Sequence, residues 1–334
     1  MPKVRNWILS VIYHNSLSLS RQFLKTMKKT IKAKKSLGQN FLIDEVALAD
    51  IANSLEIEWR HIIEVWPGYG ALTDYIVTSQ PASLDLVELD RDMVDILVGS
   101  YQLAVSRNEK TFVSKLIPDT WYLITLHNQD ILSFTPSYEE YSIIANIPYY
   151  ITSPILFHFL YPSPPPEKGE WEGVTQKRIQ NNVTLPSPPF SGRGWKIYPP
   201  QEMVIMMQEE VGEKILAGKA RKPHHSYLSL AMELACEKIE IVRYVGKESF
   251  DPAPKVDSIV LKFTVKQHRD RGIEEQLLTL WRIAFTHPRK TLLSNLKWSH
   301  YDIDEVKKWL ADCRYDEKVR AEAVGMEEWG RFDF

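Results

Sequence analysis

Asn146-Ile147-Pro148-Tyr149 is the run whose residue types say most about chemistry. An exocyclic amine on a purine is a poor nucleophile, because its lone pair is delocalised into the ring. A protein that alkylates such an amine needs acceptors that hold both hydrogens and turn the lone pair outward. The side-chain oxygen of Asn146 and the main-chain carbonyl of Ile147 are two acceptors at adjacent positions. Pro148 presets φ and fixes the turn. Tyr149 offers a flat face for a stacked base, a contact worth ~1–3 kcal/mol. A base read this way must first leave its stack. The same residues also suit an ordinary Asx-type turn, in which Asn and Pro are common.

A second set of residues points to a nucleoside-bearing cofactor. Glu64-Val-Trp-Pro-Gly-Tyr-Gly70 follows a short apolar run and opens a helical pattern. Glycines such as Gly68 let the backbone approach a ligand. Glu88 ends the next apolar run, where an acidic residue in a Rossmann-like fold accepts hydrogen bonds from ribose hydroxyls. Asp130 follows the third such run, as a candidate acceptor for a cofactor adenine amine, and Asn146 follows the fourth. Singly, such a glycine-rich stretch is usually only a turn, and a carboxylate at a strand end is more often a helix cap. The G-x-G-x-x-G form is absent, which argues against a pyrophosphate cofactor. S-adenosylmethionine needs the ribose and adenine contacts and no phosphate cradle. The two cysteines, Cys236 and Cys313, lack neighbours at ligand spacing, so no metal site is expected.

Positioning these groups requires an α/β scaffold. Short apolar strands are predicted at 61–65, 84–89, 123–126 and 142–145, alternating with helices at 45–55, 72–77 and 91–98. The first helix is read with Val46, Ala49, Ile51 and Leu55 on its apolar face. Such alternation indicates a parallel sheet covered on both faces. A further strand at 202–207, a helix at 208–217 and a strand pair at 238–245 and 258–265 complete the sheet. Three segments follow: an N-terminal extension (1–26) expected to be disordered, a Rossmann-like domain (27–265), and a small helical domain (266–334) with Leu277, Leu280, Trp281, Ala284 and Phe285 on one stripe. Residues 162–194 are rich in Pro and Gly and are read as a disordered insertion.

The formal net charge of −2 excludes a global polycation, so contact with nucleic acid must rest on local clusters. Lys34 and Lys35, with Lys28, Lys29 and Lys32, form one; Arg289 and Lys290, with Arg282 and Lys297, form another. No apolar run reaches the ~18–20 residues of a membrane span.

The chain resembles the ribosomal RNA adenine dimethylase family, in particular its bacterial small-subunit dimethyladenosine transferases. The resemblance runs from about Lys29 to Lys297, interrupted by the insertion. It is carried by KKSLGQNFL (Lys34–Leu42), EVWPGYGALT (Glu64–Thr73), VELDRD (Val87–Asp92), NQD (Asn128–Asp130), ANIPYYITSPILF (Ala145–Phe157), MMQEEVGEKI (Met206–Ile215), FDPAPKVDS (Phe250–Ser258) and AFTHPRKTLLSNLK (Ala284–Lys297). It implies a Rossmann-like S-adenosylmethionine methyltransferase fold with a helical C-terminal domain. It also implies transfer of methyl groups to N6 of two adjacent adenosines near the 3′ end of 16S ribosomal RNA, within the small subunit, by a cytoplasmic monomer. The implied cofactor site is Asn40, Leu42, Trp66, Glu88, Asp130 and Asn146, with the segment before the first strand folded over it. Phe250 becomes either a second stacking surface opposite Tyr149 or a core aromatic.

One residue departs from the pattern. The family has Gly where this chain has Trp66. The indole would either fill part of the cofactor's methionine pocket or, at negative φ, point away. Three alternatives stay open: a large-subunit RNA methylase conferring antibiotic resistance, an organellar homologue with residues 1–26 as a transit peptide, and a non-catalytic small-subunit assembly factor.

Overall fold

The computed structural model describes residues 33–101, 103–105, 111–114, 123–161, 198–217, 224–297 and 299–333. The N-terminal extension and the 162–194 insertion lie outside these residues. The strands are β1 (Phe41–Leu42), β2 (His61–Val65), β3 (Ser83–Glu88), β4 (Leu103–Val105), β5 (Thr111–Ser114), β6 (Leu123–Asn128), β7 (Ser142–Asn146), β8 (Glu202–Gln208), β9 (Cys236–Val245), β10 (Phe250–Asp251) and β11 (Ser258–Val265). The helices used below are α1 (Glu45–Asn53), α2 (Ala71–Thr78), α3 (Arg91–Tyr101), α4 (Thr152–Leu160), α5 (Glu209–Leu216), α6 (Tyr227–Ala235), α7 (Arg271–Ala284) and α8 (Leu292–Leu296).

Nine strands form one sheet in the order β4-β5-β6-β3-β2-β7-β8-β11-β9. β6, β3, β2, β7 and β8 run parallel, while β5 is antiparallel to both β6 and β4. The α/β Rossmann-like reading of the sequence is thus observed. The central strands are apolar on both faces, as a doubly covered sheet requires: Ile62, Ile63, Leu84, Leu86, Ile143 and Ile144 are all fully buried. β3 and β6 lie on one side of β2, and β7 and β8 on the other. The strand order therefore reverses beside β2, and open α/β sheets bind ligands beyond the carboxyl ends of the strands at such a point.

Two local expectations change. In α1 the buried residues are Ala47, Leu48, Ile51 and Ala52, while Val46 is exposed. Asp44 caps the helix, accepting from Val46 N and Ala47 N, and the face that packs on the core is the one carrying Ala47, Leu48 and Ile51. β4, β5, α6 and the two-residue pairing of β1 with β10 were not foreseen.

By internal contacts the chain forms two compact units: Met1–Ile155 with Pro200–Met207 and Ile241–Lys262, and Leu156–Pro199 with Gln208–Glu240 and Phe263–Phe334. The second unit thus takes helices from both sides of residue 265. Its core holds Trp281 and Trp329 edge to face, with ring centroids 6.4 Å apart. There the Arg269–Glu274 pair is buried, and Arg269 Nη1 also donates to the Leu160 carbonyl at 2.8 Å. No described helix is long and apolar enough to cross a membrane.

Candidate functional site

The carboxyl ends of β2, β3 and β7 open into one cleft with about 670 Å³ of space between its atoms. Asn40, Leu42, Trp66, Gly68, Glu88, Asn146, Ile147, Pro148, Tyr149 and Phe250 all line it. Residues spread over 210 positions of sequence therefore meet at one place.

Glu88, the last residue of β3, is buried. One carboxylate oxygen accepts from Gly68 N at 3.1 Å and the other from Asp90 N at 2.8 Å. A carboxylate has more acceptor positions than these two bonds use, which suits a ribose diol. Burial pushes the Glu88 carboxyl up to about 7, against the opposing pull of these backbone donors. The glycine is required here. Gly68 has φ +58°, and a Cβ would lie 3.1 Å from the Phe41 ring.

Glu64 lines the same cleft from β2 and was not singled out from the sequence, although it opens the glycine-containing run. It is 1% exposed, and burial pushes its carboxyl up to about 8. The Thr73 hydroxyl opposes that shift, and the Asp74 and Glu88 charges add to it. Its Oε2 has no hydrogen-bond partner among the described residues.

Trp66 adopts φ +57°, the left-handed region that non-glycine residues avoid. The negative φ that would turn the indole away is not adopted. Trp66 is one of the lining residues; its ring meets Tyr150 edge-on at 6.4 Å and buries an Nε1 with no partner among the described residues.

On the opposite wall, Asn146 ends β7 and Pro148, at φ −58°, leads into the helical turn Tyr149–Ile151. Tyr149 is half-buried, and its hydroxyl pairs with the fully buried Ser258 Oγ at 2.7 Å. Burial raises the Tyr149 phenol above its ordinary range. Phe250 is buried in the main core beside Leu42, its antiparallel partner, while still lining the cleft.

Five expected residues stand elsewhere. Asp130 does not line the cleft; its carboxylate accepts from Leu132 N at 3.0 Å and caps the turn Ile131–Ser133. Lys34 pairs with Asp90 and Asp92, each at 2.6 Å. Lys35 is exposed, as are Arg289 and Lys290 in the turn between α7 and α8 of the second unit.

The lining contains no Lys or Arg and two carboxyl groups, with Phe41, Trp66, Tyr69, Tyr149 and Phe250 as aromatic walls. A pyrophosphate would be repelled there. A nucleoside carrying a sulfonium cation fits, since a cation is favoured by carboxylates and by aromatic faces. Glu88, Asn40 and Leu42 would hold the nucleoside.

Comparisons with known proteins agree with this chemistry. The family model described as ribosomal RNA adenine dimethylase matches residues 30–329. "Ribosomal RNA small subunit methyltransferase A" of Mycoplasmopsis pulmonis is 35% identical over 301 residues, covering 90% of this chain and 97% of the relative. The protein of the same name from Clostridium botulinum is 30% identical, covering 91% and 94%. Among solved structures, a dimethyladenosine transferase from Plasmodium falciparum superposes with TM-score 0.59 at 19% identity, covering 87% of this chain and 95% of that one. The 23S rRNA methyltransferase ErmE superposes with TM-score 0.57 at 20% identity, covering 88% and 98%. These two show a shared fold. With its cleft and its match over nearly the whole length, the chain belongs to the ribosomal RNA adenine dimethylase family.

Proposed function

We propose that this protein transfers methyl groups from S-adenosylmethionine to N6 of two adjacent adenosines near the 3′ end of 16S ribosomal RNA in the small subunit. The observation that carries the reading is the single cleft joining Glu88 to Asn146-Ile147-Pro148-Tyr149 in a chain of this family. The small-subunit assignment follows the shared name of these two relatives, each matched over nine-tenths or more of its length.

S-adenosylmethionine supplies an electrophilic methyl group next to a positive sulfur. The protein supplies position. Glu88 takes the ribose hydroxyls. Asn146 and the Ile147 carbonyl hold the N6 hydrogens of the flipped adenine, directing the lone pair across the cleft. Pro148 keeps the two acceptors at a fixed spacing, and Tyr149, steadied by Ser258, stacks on the base. Phe250 works mainly as the cleft's apolar floor, given its burial. Asp130 acts through the turn it caps. Lys35, Arg289 and Lys290 contact RNA phosphates.

The test is primer extension across the 16S RNA 3′ end, using small subunits treated with native or variant protein. Native protein should produce stops at two neighbouring adenosines. Asn146→Ala should abolish them while RNA binding stays within a few-fold. Glu88→Ala should weaken cofactor binding by ~1.5–3 kcal/mol, the loss of a charge-assisted hydrogen bond. Stops in large-subunit RNA instead would move the protein to the antibiotic-resistance branch. Trp66 in the cleft favours one competing reading, a non-catalytic assembly factor. That reading requires native protein to bind immature small subunits and leave no stops.

A further inference from the structure

Asp90 is a carboxylate with 3% exposure that the proposed chemistry does not use. Its side chain gathers the segment before α1. Oδ1 accepts from Lys34 Nζ at 2.6 Å and from Asp92 N at 3.0 Å, and Oδ2 accepts from Gln39 Nε2 at 2.6 Å. Gln39 is tied back to the same strap, since its Oε1 accepts from Lys34 N at 2.8 Å. Asp90's own N–H donates to Glu88. The strap held this way contributes Gly38, Gln39, Asn40, Phe41 and Leu42 to the cleft lining. It packs closely on its surroundings: a Cβ on Gly38 would sit 3.3 Å from Pro148 and from Tyr150, and the Phe41 ring meets Tyr69 tilted by 43° with centroids 4.6 Å apart.

We propose that Lys34 and Asp90 form a latch that closes residues 34–42 over the cofactor cleft, and that Asp90 is a positioning residue linking this strap to Glu88. Lys34 then serves the latch rather than RNA. A purely local role for Asp90, capping α3, accounts for the bond from Asp92 N. It does not account for the Lys34 and Gln39 contacts, which join elements more than 50 positions apart. The cofactor part of the proposal rests on the function proposed above; the closure of the strap does not.

Two variants separate the roles. Asp90→Asn keeps the cap, because Asn caps as well as Asp, and removes the charge that pairs with Lys34. Lys34→Met keeps the stem and removes this pair together with the Lys34–Asp92 pair. Hydrogen exchange of the ligand-free protein, read on peptides from the strap and from α3, should show strap exchange about tenfold faster in each variant, the scale of one lost charge-assisted bond. Exchange in α3 should stay within twofold. The double variant should exchange no faster than Lys34→Met alone, because that change already removes the pair that Asp90→Asn weakens. Stopped-flow dissociation of S-adenosylmethionine should accelerate by about the same factor in each single variant. Strap exchange unchanged in both singles, or multiplied in the double, would overturn the latch. Faster strap exchange with unchanged cofactor dissociation would overturn its role in closing the cleft. Failure of native protein to bind S-adenosylmethionine at all would sink the proposed function, and strap exchange would still decide whether the latch exists.

Discussion

Two side chains in the cleft carry unusual local conditions, and each makes a prediction. Glu64 is buried with no partner for one oxygen among the described residues, and its carboxyl is raised from 4.5 to about 8. The folded protein therefore holds a proton that the unfolded chain releases. Its contribution to stability is full below pH 4.5 and is lost as the pH rises toward 8. Gln cannot ionise, so Glu64→Gln should gain on the native protein by up to about 1.4 kcal/mol per pH unit across that window. Chemical denaturation of the ligand-free protein at pH 5, 6, 7 and 8 measures it, and a constant difference would refute the assignment. Trp66 combines left-handed backbone, which costs a non-glycine residue roughly 1–2 kcal/mol, with an indole in the cleft. Trp66→Gly should relieve the strain and open space, so cofactor affinity by calorimetry should rise a few-fold. Equal affinity would mean that the ligand accommodates the indole.

At the scale of elements, the cleft depends on segments that connect strands rather than on the strands alone. The β1–β10 pairing brings Leu42 against Phe250, and Ile43 N donates to the Ser249 carbonyl at 2.9 Å. This short ladder ties the strap to the 246–258 segment, whose last residue, Ser258, steadies Tyr149. Between α4 and β8 the chain carries the Pro- and Gly-rich insertion, and the family resemblance resumes on its far side. Lengthening a loop adds little closure entropy. Replacing residues 162–194 with a short Gly/Ser linker should leave the melting temperature and methylation within a few-fold of native behaviour. An insoluble or inert deletion would show that the insertion packs on the protein.

For the whole molecule, net charge is close to neutral, so RNA affinity has to come from local basic groups. Arg289 and Lys290 are exposed on the second unit. Replacing both with Ala should weaken binding to the 16S 3′ region and lower the slope of log affinity against log salt by about 1–2. Lys34→Met, by contrast, should leave that slope unchanged, because its charge is already matched by Asp90 and Asp92. A slope unaffected by the Arg289/Lys290 pair would place the phosphate contacts elsewhere.

The sequence by itself determined the strand–helix alternation, and β2 and β11 occupy the stretches expected from it. Apolar runs bounded by Gly, Pro and Asp are local signals, and a doubly covered sheet imposes them on its central strands. It also marked Glu88 and Asn146 as strand-end residues. Only the tertiary structure decided which of these face one cleft. Asp130 sits at an equivalent strand end, yet its carboxylate turns back to cap its own turn. The roles of Asp90 and Lys34 were illegible because an ion pair between distant positions leaves no periodic trace, and a Lys within a basic cluster reads as a phosphate contact. Trp66 shows the same division. Its type predicted a conflict with a close-approach turn, but whether the indole fills the cleft depends on φ, and the surrounding fold holds that at +57°.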